Sequence, residues 1–336
     1  MKKTTIFFNS FINFILNMML LDKNSWIREK YFHFFSSLLI IPLKKIKKNL
    51  RTPNFVEKQY DQISGSYIKD NYYKENMRFC VANGEIKKIS SIENMKSIRE
   101  ECNQLLDKLA FQSILEVGVG ELTTIDSILN HKQSINQIFG IDLSVNRLLH
   151  GLEEFEKRHE FTINVAKSNA ISLPFEDSSF DLVYSRHTLE QMPRIFTYAL
   201  CEMIRVSRKS IVLFEPSFEK GSLSQKLKMI KNDYFSGLDK FLSSRQDIII
   251  KESFLMKNSA NPLNHTACYV IEKKDSLETN EDSIKFVCPV SKKPLHDYDD
   301  FFYCKDSKHA YPKIKGIPIL DQDYSFLIDS PKITNV

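Results

Sequence analysis

The chain has 336 residues, of which 42% are hydrophobic and 26% charged, with a formal net charge of +5. These are the values of an ordinary globular protein, and they exclude wholesale disorder, collagen-like repeats and a multi-span membrane bundle. The length suits roughly two domains. Six scattered cysteines are too few for a disulfide framework in a chain this long, so a reducing, cytoplasmic setting is expected.

The charge is unevenly spread. Residues 1–53 carry ten Lys or Arg against Asp22 and Glu29, which leaves the other 283 residues at −3. A slightly acidic body lacks the broad basic face that grips long nucleic acid, so nucleic acid is not the expected partner. Within the arm, residues 6–21 place Asn9, Asn13 and Asn17 on one stripe of an otherwise apolar helix. Neither this stretch nor 31–43 reaches the roughly 20 apolar residues needed to span a bilayer, and the second closes at Pro42 before the lysines at 44, 45, 47 and 48. Lys2-Lys3 imitates the start of a signal peptide, but Asp22-Lys23-Asn24 offers no small-x-small cleavage pattern. Two placements stay open for residues 1–50: on an anionic membrane surface, peripheral to its inner face, or packed on the main body or a dimer interface.

Residues 54–112 are polar and helix-favouring, and 92–109 repeat Met95, Ile98, Cys102, Leu105, Leu106 and Leu109 at helical spacing. Strands are then expected at 113–117, 137–141, 161–166, 180–185, 210–214 and 267–272, with helices at 124–129, 144–157 and 196–206 between them. Such alternation implies an α/β fold with a mostly parallel sheet and helices on both faces. Residues 274–284 are almost free of apolar side chains and read as a linker to a small C-terminal module, 285–322, followed by a tail, 323–336.

The first strand runs out as Ile114-Leu115-Glu116-Val117-Gly118-Val119-Gly120, and glycines there let the backbone approach a ligand closely. The second ends in Asp142, about 22 residues beyond the glycine turn, where a carboxylate can accept from both hydroxyls of a ribose. Then follow Asn169-Ala170, Leu173-Pro174-Phe175 and Phe180-Asp181-Leu182-Val183-Tyr184-Ser185. In this order and spacing the run resembles the class I S-adenosylmethionine-dependent methyltransferases that modify small molecules, over about residues 105–217.

The resemblance implies a Rossmann-like seven-stranded sheet over 54–273 and S-adenosylmethionine as cofactor. It also assigns roles. Glu116 organises the amino-acid end of the cofactor, with the Gly118 and Gly120 backbone against it. Asp142 holds the ribose and Leu143 lies under the adenine. The side-chain oxygen of Asn169 and the N–H of Ala170 meet the adenine edge, and Ser185 marks the rim of the methyl-transfer pocket. Leu122 stands at the family's third glycine beside an extra acid, Glu121, and this bulk is expected to narrow the pocket around the methionine moiety.

The sulfonium is already an activated methyl donor, so the protein mainly aligns the acceptor and excludes water. A base is needed only if the acceptor must lose a proton. His187, just after the fourth strand, is the candidate because its unperturbed pKa is nearest neutrality; a capping or pocket-shaping role is the alternative. No Asn/Asp-Pro-Pro-Tyr/Phe and no cysteine follows that strand, which disfavours methylation of nucleic-acid bases. The acceptor is expected to be a small molecule, such as a sugar or a lipid-linked intermediate. A tRNA or protein methyltransferase, or a non-catalytic binding module of the same fold, are the alternatives.

The C-terminal segments Cys288-Pro289-Val290-Ser291 and Cys304-Lys305-Asp306-Ser307, with Tyr311-Pro312 and Gly316-Ile317-Pro318 after them, resemble the small Trm112-like zinc ribbon. Serine replaces the second cysteine of each pair, and His296 and His309 lie off the pair spacing. Two thiolates do not close a structural zinc site, so a metal-free module is expected.

Overall fold

The structure is a computed structural model that describes residues 51–131, 135–160, 162–277 and 283–329. The expected amphipathic and aromatic stretches of the arm, the centre of the linker at 278–282 and the end of the tail lie outside the described residues. Among the described residues no helix is long and apolar enough to cross a membrane.

The fold begins with helix α1 (Pro53–Gln62). Pro53 presets the first helical turn, and Thr52 Oγ1 accepts the Phe55 N–H at 3.3 Å. A short helical turn, Ser66–Ile68, leads to a hairpin of β1 (Met77–Ala82) and β2 (Glu85–Ser90). The hairpin turns at Asn83 and Gly84, with φ of 51° and 80°, the geometry that a two-residue primed turn demands. It takes part of the stretch expected to be helical. Helix α2 (Ser91–Leu106) follows and buries Met95, Ile98, Cys102, Leu105 and Leu106, as the spacing requires.

The central sheet then builds from β3 (Ser113–Val117), α3 (Thr123–His131), β4 (Gln137–Asp142), α4 (Val145–Glu156), β5 (Asn164–Ser168) and β6 (Phe180–Arg186). It continues with α5 (Phe196–Val206), β7 (Ser207–Pro216), α6 (Leu223–Asn232), α7 (Leu238–Ser244), β8 (Ile248–Leu255) and β9 (Thr266–Lys273). The third strand sits three residues later than expected, because pairing with β4 begins at Asn164 and carries Lys167 and Ser168 to the sheet's carboxyl edge.

These seven strands lie in the order β5-β4-β3-β6-β7-β9-β8, parallel except for β9, which runs antiparallel to both neighbours. Alternate residues feed opposite faces: Ile114 and Leu182 join one apolar layer with α2, α3 and α4, while Leu115 and Val183 join the other with α5 and α7. Asp181 pins the amino end of the sheet. Its Oδ2 accepts the Gln112 and Ser113 N–H groups at 2.9 and 3.1 Å, and Oδ1 pairs with Arg208 at 2.8 Å. Burial would raise this carboxyl, but those donors hold it below its usual range.

The C-terminal module carries β10 (His296–Asp297), β11 (Phe301–Tyr303), β12 (His309–Ile314), β13 (Ile317–Leu320) and β14 (Phe326–Leu327). β13 pairs in parallel with β5, Leu320 opposite Ser168, so the module extends the main sheet. Val287 N–H donates to Pro174 O at 2.9 Å, and Lys292 Nζ reaches Leu173 O and Glu202, which seats the module on the Leu173-Pro174-Phe175 turn. Residues 323–327, in the expected tail, continue it as the end of a short turn and as β14 paired with β12.

The four positions singled out in the ribbon come together. Cys288 Sγ lies 3.3 Å from Ser307 Oγ and 3.2 Å from Tyr311 Oη, and Ser291 Oγ lies 3.3 Å from Cys304 Sγ. Burial pushes the Cys288 thiol up, but hydrogen bonds from Ser291, Ser307 and Tyr311 outweigh it and bring it down to about 7. His309 bonds Ser325 Oγ at 2.7 Å and stacks on Tyr311, and His296 is exposed on β10. Among the described residues no group of three or more His, Cys, Asp or Glu is arranged to hold a metal.

Candidate active site

A cleft of about 520 Å³ opens at the carboxyl edge of the central strands, within the range of small-molecule sites. Its floor is the turn after β3. Gly118 and Val119 both donate to Ile141 O, at 2.8 and 2.9 Å, which ties the turn to the neighbouring strand. Gly118 has φ of 80°, and a Cβ there would lie 2.1 Å from Thr188 Oγ1. Gly120 donates to Asp142 Oδ2 at 2.9 Å, and Ser144 donates to Asp142 Oδ1 at 2.9 Å. Arg147 Nη1 also reaches Oδ2, at 3.5 Å, so Oδ1 keeps the freer lone pair for a ligand hydroxyl.

Glu116, Gly118, Asp142, Leu143, Ala170 and His187 line the cleft together, while Gly120 stands just behind Asp142. Glu116 is buried and accepts from Tyr184 Oη at 2.5 Å. Burial pushes its carboxyl up to about 8, against the pull of the Tyr184 hydrogen bond and of Arg186.

Two expected site residues stand elsewhere. Asn169 is absent from the lining: its Oδ1 turns back to accept the Ile171 N–H at 3.3 Å in a local turn. Ser185 is fully buried behind the rim and donates to Glu215 Oε1 at 2.8 Å. Glu215 in turn accepts the N–H groups of Thr188, Leu189 and Glu190, so Ser185 shapes the loop after β6 from behind. Burial raises Glu215 to about 7.

The expected narrowing at 121 and 122 does not occur, because neither residue lines the cleft. Glu121 accepts the Gly65 and Ile68 N–H groups at 3.0 and 2.7 Å, capping the turn after α1. Leu122, in the left-handed region at φ of 59°, is buried against Gly151 of α4.

His187, also left-handed at φ of 53°, has both ring nitrogens engaged. Nε2 lies 2.8 Å from Thr266 Oγ1, and Nδ1 lies 3.3 Å from Glu190 Oε1 and 3.4 Å from Asn264 Nδ2. Glu190 is held by Gln191 and by Asn264, each at 2.9 Å.

Several lining residues carry no motif. Tyr60 and Tyr67 lie against the Arg147 guanidinium at 4.8 and 4.9 Å, closing the cleft from the α1 side. Arg51 donates to Asn232 O at 2.7 Å and to Gln191, and it lies over the Tyr234 ring. The arm therefore meets the fold beside two lining residues, Gln191 and Tyr234.

The residues present fit S-adenosylmethionine. Gly118 brings bare backbone to the cleft wall, Asp142 offers a carboxylate to the ribose, and Leu143 and Ala170 supply an apolar wall.

Strand order, glycine turn and second-strand acid together define a Rossmann-like α/β domain with its ligand cleft at the carboxyl edge of the sheet. Residues 115–214 match the Methyltransferase domain family. It is 26% identical over 196 residues to phosphoethanolamine N-methyltransferase 2 of Caenorhabditis elegans, covering 56% of this chain and 42% of that one. It is 31% identical over 133 residues to demethylmenaquinone methyltransferase of Shouchella clausii, covering 38% and 55%. The chain thus spans about half the length of the curated relatives it matches. Among solved structures, magnesium protoporphyrin IX methyltransferase from Synechocystis superposes with a TM-score of 0.48 at 12% identity, over 66% of this chain and all of that one.

Proposed function

We propose that the protein is an S-adenosylmethionine-dependent methyltransferase acting on a small molecule. The observation that carries this is the hydrogen bond from Gly120 N to Asp142 Oδ2, which locks the glycine turn and the ribose-binding acid into one wall of the cleft. When bound there, the cofactor supplies an activated methyl group. Asp142 accepts from the ribose hydroxyls, the Gly118 turn receives the amino-acid end, and Leu143 and Ala170 hold the base. Tyr60, Tyr67 and Arg147 exclude water over the reacting centre. If the acceptor loses a proton, His187 takes it at one ring nitrogen after giving up its present partner, with Glu190 beside it stabilising the imidazolium.

Two curated relatives are named for phosphoethanolamine and demethylmenaquinone, in line with a small acceptor, and we read the acceptor here as a sugar or a lipid-linked intermediate. The second fits the arm. Arg51 joins the basic, apolar residues 1–50 to the fold beside Gln191 and Tyr234, so a membrane-seated arm would bring the cleft to a lipid-linked acceptor. The C-terminal module is read as a metal-free Trm112-like ribbon in which serine hydroxyls satisfy the two thiols.

The test is metabolite profiling with an isotopically labelled methyl donor in cells with and without the gene. The expected result is a labelled small molecule that disappears with the gene. An unchanged small-molecule profile alongside labelled tRNA or protein that disappears with the gene would replace this reading.

A further inference from the structure

Most of the described arginines have an evident partner, and Arg51 is held by Asn232 O and Gln191. Arg147, Arg158, Arg194, Arg205, Arg208 and Arg245 each face a carboxylate within 4.0 Å. Arg78 and Arg186 do not, and both line the cleft. Arg78 comes from β1 of the hairpin, outside the seven-stranded sheet, and its side chain has no ion pair and no hydrogen bond among the described residues. Arg186, at the end of β6, gives only Nη1 to Thr124 Oγ1, at 3.3 Å. In both, Nε is buried without a partner.

Of the five carboxylates in the cleft wall, Asp70 is exposed and makes no ion pair with either arginine, and the other four are engaged elsewhere. Glu57 is bound by Lys167 and Tyr324, Asp142 by backbone N–H groups and Arg147, and Glu190 by Asn264 and Gln191. Glu116 interacts with Arg186 only at a distance, is bonded by Tyr184 and is pushed toward its neutral form by burial. Burying an uncompensated guanidinium is costly, and its planar fork matches the two oxygens of a carboxylate or phosphate.

We propose that Arg78 and Arg186 form an anion-receiving corner of the cleft that binds a carboxylate or phosphate group of a ligand. Two sources share this chemistry: the carboxylate of the cofactor, or an acidic group on the methyl acceptor. The inference rests on the methyltransferase reading for the ligand's identity, but not for the anion itself.

The test is calorimetry on the full chain and on Arg78→Gln, Arg186→Gln and the charge-keeping Arg78→Lys, with thermal melts confirming that each variant is folded. The probes are S-adenosylhomocysteine, 5′-methylthioadenosine, which lacks the carboxylate, and inorganic phosphate or acetate added to protein saturated with S-adenosylhomocysteine. If the anion belongs to the cofactor, the Gln variants bind S-adenosylhomocysteine at least tenfold more weakly and 5′-methylthioadenosine unchanged. If it belongs to the acceptor, both nucleosides bind as before and the phosphate or acetate signal is lost. Arg78→Lys falls between, since it keeps the charge without the fork. Variants that bind all probes as the wild type does would overturn the proposal. If the wild type binds neither nucleoside but still binds an anion through both arginines, the cofactor reading fails and the corner stands.

Discussion

Leu122 Cδ1 lies against the bare Cα of Gly151, so that a Cβ built on that glycine would meet it at 2.4 Å. This contact explains how a leucine occupies the third glycine position of the motif without entering the cleft: α4 gives up a side chain to receive it. The same Cβ would lie 2.8 Å from the Glu121 carbonyl carbon, and backbone cannot swing away as a side chain can. Gly151→Ala should therefore destabilise the protein by about 1–3 kcal/mol through overpacking, despite alanine's better helix propensity. Urea denaturation measures it, and an unchanged midpoint would show that the turn has room to shift.

A second relationship joins the C-terminal module to the cleft. Tyr324 Oη donates to both Glu57 oxygens at 2.8 and 2.9 Å, and Lys167 Nζ donates to Glu57 at 2.9 Å and to Leu143 O at 2.7 Å. Because Glu57 sits on α1 and lines the cleft, Tyr324→Phe should loosen α1 by about 1 kcal/mol. Hydrogen exchange of 53–62 should quicken in the variant while β3 and β6 stay protected. Equal exchange in both proteins would show that the module does not hold the helix.

Stability should fall as pH rises. The folded state keeps a proton on Glu116 up to about 8 and on Glu215 up to about 7, whereas unfolded carboxyls lose theirs near 4.5. Each such proton costs about 1.4 kcal/mol per pH unit across the window between those values. The stabilisation is complete below about 4.5 and is lost through about 8. Glu116→Gln, which can still accept from Tyr184, should flatten the profile between pH 5 and 8. A variant whose pH dependence matched the wild type would mean that Glu116 is ionised in the fold.

If His187 is the base, His187→Ala should lower kcat by roughly 10²–10⁴-fold with little change in cofactor affinity. Turnover that survives, with a change only in stability, would assign the ring to holding Thr266 and Glu190 in place.

Much of the sheet was legible because buried parallel strands separated by amphipathic helices leave a strong periodic record, and because the glycine turn, Asp142 and the Phe180-Asp181 pair keep fixed intervals. The hairpin was legible too, in Asn83-Gly84, but the helix-favouring polar run around it masked that signal. β8 is an edge strand with a register shift between Ile250 and Glu252 and little alternation in burial, so its pattern was weak. The roles of Tyr60, Tyr67, Arg78, Arg147 and Glu121 depend on distant segments meeting, which local spacing does not encode. Likewise Asn169 and Ser185 occupy motif positions, yet their side chains are turned away by partners two residues on and on the next strand, Ile171 and Glu215.

The central claim is tested most directly by isothermal titration of the folded full-length protein with S-adenosylhomocysteine, in parallel with Asp142→Ala. The variant removes the charged acceptor for two ribose hydroxyls, each such hydrogen bond being worth about 1.5–3 kcal/mol. The account predicts saturable binding to the wild type and a loss of tenfold or more in the variant. A folded wild-type protein that gives no binding signal with S-adenosylhomocysteine, or a variant that binds it equally well, would contradict it.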